Sequence, residues 1–104
     1  MEIETIRQLI REDRFFESQH AKHERDNDDL TLAEVTEAIL SGKILEAYAD
    51  TGRGKSCLVA GLVGEKPIHI VCAQSRFAPG QLVLVTVYIP KPPKFIDPWT
   101  RNLK

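Results

Sequence analysis

The sequence predicts an α+β domain in which three N-terminal helices pack on a four-stranded antiparallel sheet. Three observations carry that reading. Apolar residues recur at helical spacing up to Gly42, and in short extended runs after it. Thr31-Leu-Ala-Glu34 is a capping box, which marks a helix start shortly before the change of period. The runs after Gly42 are joined by short Gly- and Pro-containing turns, and short turns imply antiparallel neighbours.

Ile3, Ile6, Leu9 and Ile10 lie on one helical face, so residues 2–12 read as an amphipathic helix. Residues 14–17 are a short connector or edge strand. Ser18 can cap a second helix over 19–28, in which Ala21 is the one apolar residue. Hydrophobic burial can hardly hold such a helix, so its flanks or polar contacts must. The third helix spans 32–41, with Leu32, Val35, Ala38 and Ile39 inward and Gly42 as a C-terminal stop. Strands are expected at 43–49, 56–63, 68–74 and 81–89, with turns at 50–54, 64–67 and 78–80. In the last strand Val83, Val85, Val87 and Ile89 form the more uniform face and are expected to meet the helices. Leu82, Leu84, Thr86 and Tyr88 would then face outward. Residues 1–90 read as a single domain, and 91–104 as a Pro-rich tail that docks extended through Phe95 and Trp99.

Composition bounds the function. The chain has 104 residues, 42% hydrophobic and 28% charged, which fits one ordinary globule. No apolar run is long enough to span a membrane and the N-terminus is acidic, so a cytoplasmic protein is expected. Cys57 and Cys72 lack metal-ligand or redox spacing and read as small buried residues. The net charge of −1 conceals an asymmetry: residues 1–50 carry 13 acids and 6 bases, residues 51–104 carry 8 bases and 2 acids. Such polarity suits an anion on one face and a cation or basic partner on another.

His20, Glu24 and Asp28 stand four residues apart and form one polar stripe along the second helix. They are candidate catalytic residues, with His20 transferring protons under the influence of the two carboxylates. A shared metal ion is one alternative, and a plain exposed His–Glu pair is another. His23 points about 60° off the stripe. His69, within a strand, and Tyr88, which shares a strand face with Thr86, join the candidate list, although plain packing is the commoner role for either. Gly52-Arg-Gly-Lys-Ser56 is not a phosphate-binding P-loop, because Ala49 stands at the first glycine position and a strand follows instead of a helix. It remains a basic turn whose Arg53 and Lys55, together with Arg76, can touch a phosphate backbone.

Several pieces resemble the bacterial DUF4258 family, a domain of unknown function: His20-Ala-Lys-His-Glu24 with Asp28; Gly42 with Ile44-Leu-Glu46 and Tyr48; Cys57-Leu58; Pro67 to Val71; Thr86 to Pro90; and Trp99. The resemblance covers about residues 5–101. In many relatives arginines stand where this chain has Glu24 and Asp28, so the chain resembles an acidic subgroup, which weakens the carry-over of an arginine-based mechanism. The family in turn resembles RelE/ParE and MqsR-type toxins. A RelE-toxin-like fold and a toxin-type RNA endonuclease of a toxin–antitoxin pair are what this implies, with RNA as substrate and a zinc-finger antitoxin as partner. The expected cleavage is metal-independent acid–base chemistry without a cofactor. The competing expectations are a non-catalytic protein-interaction module and a metal-dependent hydrolase centred on the stripe.

Overall fold

The computed structural model describes residues 1–49, 54–92 and 95–101, and for Phe95 and Ile96 the backbone alone. The elements run α1 (Ile3–Arg11), β1 (Phe15–Glu17), α2 (Gln19–Asn27), α3 (Leu32–Ser41), β2 (Lys43–Tyr48), β3 (Ser56–Val63), β4 (Lys66–Gln74), β5 (Leu82–Tyr88), β6 (Phe95–Asp97) and β7 (Thr100–Arg101). The α+β class stands. No helix among the described residues is long and apolar enough to cross a membrane.

The expected four-stranded antiparallel sheet is corrected to a five-stranded mixed sheet, ordered β1-β5-β4-β3-β2. The added strand is Phe15-Phe16-Glu17, which pairs in parallel with Leu82-Val83-Leu84. Three residues carry no readable period, and their partner lies at the far end of the chain. Strands β2 to β5 form the expected antiparallel meander. The tail does not dock as an extended segment: residues 95–101 form a separate two-stranded hairpin.

The helices cover one face of the sheet. Val35, Ala38 and Ile39 of α3 and Ile6 and Ile10 of α1 bury against Cys57, Val59, Ile68, Ile70, Cys72, Leu82, Leu84 and Val87. Leu32, expected inward, is exposed at the edge of that layer. The outward face of β5 also differs from expectation. The register jumps so that Val71 faces Thr86 and Cys72 faces Leu84, leaving Val85 as a bulge residue. One extra residue inverts the alternation, so Leu82 and Leu84 turn to the helices while Val83 and Val85 turn outward.

Gly42 ends α3 as expected, without the left-handed conformation common at helix ends. Its φ of −88° and ψ of −172° are open to any residue. A Cβ there would meet the Ala38 carbonyl oxygen at 2.5 Å and the Ala60 carbonyl oxygen at 2.6 Å. At Gly61 a Cβ would stand 2.0 Å from the Ala38 oxygen. The two glycines let α3 cross β3 almost backbone to backbone. The capping box forms as expected, with Glu34 N–H donating to Thr31 Oγ1 at 3.1 Å and Thr31 N–H to Glu34 Oε1 at 2.9 Å.

Helices α1 and α2 both end in Schellman turns built on aspartate. Asp13 (φ 57°) and Asp29 (φ 54°) occupy the left-handed position. The Arg14 N–H reaches the Leu9 carbonyl at 2.8 Å, and the Leu30 N–H reaches the Arg25 carbonyl at 2.9 Å. Leu30 is buried and anchors the second turn in the core.

Candidate functional site

Helix α2 lies along the edge of β5 beyond the short reach of β1, and its polar face binds that edge. The Ser18 N–H donates to the Leu84 carbonyl at 3.0 Å, and Ser18 Oγ donates to the Val85 carbonyl at 2.9 Å. The Val87 N–H donates to Glu24 Oε1 at 3.1 Å, and the Ile89 N–H to Asp28 Oδ2 at 3.0 Å. Two carboxylates one helical turn apart thus satisfy two amides spaced two strand residues apart, the work a sixth strand would otherwise do. This answers how a helix with one apolar anchor stays in place. Arg25 reinforces it with a two-point ion pair to the almost fully buried Glu17 on β1, at 2.7 and 3.0 Å.

His20 approaches Glu24 at 3.3 Å, as the stripe predicts, but its side chain is 69% exposed. Glu24 Oε1 and Asp28 Oδ2 are each engaged by a strand amide, and among the described residues no group of three or more His, Cys, Asp or Glu is placed to hold a metal ion. His23 is exposed, as expected.

The other candidate residues converge on the sheet face away from the helices. His69 (β4) and Tyr88 (β5) are cross-strand partners, with rings 5.3 Å apart. His69 is fully buried. Its Nε2 lies 2.5 Å from the Pro98 carbonyl oxygen and its Nδ1 lies 3.3 Å from the Tyr88 hydroxyl. A carbonyl oxygen only accepts, so Nε2 carries the proton, and in the neutral ring Nδ1 accepts from Tyr88.

Three further residues complete the cluster. Glu46 of β2 accepts from the Tyr48 hydroxyl at 2.6 Å and from both arms of the Arg101 guanidinium at 2.7 and 2.8 Å. The Arg101 contacts, with smaller help from Tyr48 and His69, pull the Glu46 carboxyl down to about 2 against the cost of burial. Burial, then the bond to Glu46, pushes the Tyr48 phenol up, and burial does the same for Tyr88. Lys43 sits 5.4 Å over the Trp99 ring. The β6–β7 hairpin is therefore pinned across this face by Lys43, Glu46 and His69. Glu46 and Tyr48 show one sequence signal, an i, i+2 placement on one strand face. Arg101 has none, because 55 residues separate it from its partner.

Lys55 is exposed beside the start of β3, and Arg76 is exposed in the loop after β4. Arg53 lies outside the described residues. Cys57 and Cys72 face each other across β3 and β4 as buried free thiols, which burial pushes up and leaves unreactive.

Fold and site together define a small α+β domain with a hairpin-covered acid–base cluster on its open sheet face. A family model described as Domain of unknown function (DUF4258) matches residues 18–89, and the chain belongs to that family. The match opens at Ser18 and closes at Ile89, so it spans the docking of α2 on β5 and excludes α1, β1 and the hairpin. No curated protein and no solved structure matches the chain.

Proposed function

We propose that this chain is an RNA endonuclease acting as the toxin of a toxin–antitoxin pair, and that its chemistry is carried by the sheet-face cluster. The supporting observation is the gathering of a carboxylate, an imidazole, two phenols and a guanidinium on one patch: Glu46, His69, Tyr48, Tyr88 and Arg101. Metal-free RNA cleavage needs a base for the 2′-hydroxyl, an acid for the leaving 5′-oxygen and positive charge at the phosphate. Glu46 accepts the 2′-hydroxyl proton as that oxygen attacks phosphorus. With the β6–β7 hairpin displaced and Pro98 lifted off Nε2, His69, as the imidazolium, gives its Nε2 proton to the departing 5′-oxygen, leaving a 2′,3′-cyclic phosphate and a free 5′-hydroxyl. Arg101 moves from Glu46 to the phosphate, which returns Glu46 toward ordinary carboxylate basicity. Tyr88 orients His69, and Tyr48 orients Glu46. His20 stands outside this set, and a zinc-finger antitoxin is the expected inhibitor.

The test uses purified full-length chain and single-stranded RNA in the presence of a chelator. Wild type cleaves, and Glu46→Gln or His69→Gln each lowers the rate by about 10²-fold or more. Absence of cleavage by wild type at micromolar protein sinks the proposal. One observation favours a second reading, a non-catalytic interaction module: Pro98 sits directly on the buried His69. On that reading His69→Gln leaves partner binding intact and wild-type expression does not arrest growth.

A further inference from the structure

Beyond the hairpin the outer sheet face lies open and holds two adjoining grooves. The first, about 510 Å³, is floored by small residues, Ala47, Ser56 and Ala73 among them, with Tyr48 as a wall. The second, about 240 Å³, is lined by Phe16, Phe77, Arg76 and Val83. Ala73 and Val85 line both, so the two form one continuous trough. The bulge at Val85 makes that trough by turning Val83 and Val85 outward. Tyr48 joins it to the cluster, since its hydroxyl is fixed on Glu46 at 2.6 Å.

Two features mark the ligand. Three aromatic side chains stand along the trough, and Phe77 at its far end is 95% exposed. A phenyl ring so exposed, beside a second half-exposed phenyl at Phe16, offers a flat apolar surface to a flat partner. The charge is of one sign. Among the described residues no acidic residue lines either groove; the exposed Lys55 lies in the chain between two lining residues, Gly54 and Ser56, and Arg76 is itself a lining residue. Neither Lys55 nor Arg76 has an ion-pair partner among the described residues. Alternating aromatic faces and uncompensated cations suit a strand whose bases stack while its phosphates stay solvated. A duplex hides its base faces and gains only the cations.

We infer that the trough from Tyr48 to Phe77 is a single-stranded nucleic-acid subsite, with bases stacked on Tyr48 and Phe77 and phosphates held by Lys55 and Arg76. It rests on the nuclease reading for its direction, since it feeds the strand toward Glu46. It adds the substrate form, an unpaired strand, and a means of holding it that is independent of base identity.

The experiment measures anisotropy of a labelled ten-nucleotide deoxy strand, which cannot form the cyclic phosphate, against its duplex, using the full chain. Wild type binds the single strand more tightly than the duplex. Phe77→Ala weakens single-strand binding about tenfold and leaves the salt dependence unchanged. Arg76→Ala flattens the slope of log affinity against log salt by about 0.7. Both side chains are exposed, so both variants fold. Equal affinity for the two forms, or unchanged binding in both variants, overturns the inference and leaves the trough to a polypeptide. A chain that binds the deoxy strand as described yet leaves the matching ribose strand intact keeps the subsite and sinks the nuclease reading.

Discussion

Glu24 on α2 accepts the backbone N–H of Val87 on β5 at 3.1 Å, so a helical side chain stands where a neighbouring strand would. Removing the acceptor leaves a half-buried amide unpaired. Glu24→Ala is therefore expected to destabilise the domain by about 1–3 kcal/mol, and Asp28→Ala by a similar amount. Glu24→Gln keeps an acceptor oxygen and loses less. Urea unfolding of the three variants checks the order, and an alanine variant as stable as wild type refutes the edge-capping role.

Asp29 holds a left-handed φ of 54° at the end of α2. A residue with a Cβ is strained there and glycine is not. Asp29→Gly should raise stability by several tenths to about 1 kcal/mol in the same urea assay. The Schellman bond of the Leu30 amide to Arg25 is retained in the variant.

Gly61 carries the opposite expectation. A methyl group there would stand 2.0 Å from the Ala38 carbonyl oxygen, which is backbone and cannot rotate away. Gly61→Ala must push α3 off β3, at a cost of about 2 kcal/mol or more. A melting curve within a degree of wild type would contradict so tight a crossing.

The Glu46–Arg101 pair makes hairpin docking depend on acid. The folded carboxyl titrates at about 2, below its ordinary value of 4.5. A depressed carboxyl contributes stability that is present above the ordinary value and lost as pH falls toward the folded one. Trp99, the one tryptophan, lies on the hairpin over Lys43 and reports its docking. Its fluorescence should change between about pH 4.5 and 2 in wild type. Glu46→Gln should lack that component, while the part owed to other carboxylates such as Glu34, also held low, persists.

What the sequence revealed and what it hid divide by range. The capping box at Thr31, the α2 boundaries and the four meander strands are signalled by neighbours in the chain, and all were readable. The i, i+4 stripe was readable too, but its carboxylates serve Val87 and Ile89, more than 60 residues away. Residues 14–17 were readable as a connector or edge strand, but the same distance hid their parallel pairing with β5, the pairing of Arg101 with Glu46, and Pro98 over His69. The Val85 bulge was hidden for another reason: β5 is apolar on both faces, so alternation alone could not reveal one inserted residue. Gly42 looked like an ordinary helix stop, and only the closeness of the Ala38 and Ala60 carbonyl oxygens shows why it must be glycine.

The parallel pairing of β1 with β5 sets an order of assembly. Phe15 leaves the ribosome well before its partner Leu82, which follows 67 positions later. Until β5 exists, β1 has no edge to join, and closing so large a loop is slow beside the meander's local hairpins. The meander and α3 can form as a local unit, onto which α1 and β1 dock last. During synthesis the Phe15-Phe16 pair is thus an unsheltered hydrophobic strand, and the acidic residues before and after it, Glu12, Asp13 and Glu17, keep nascent chains from pairing through it.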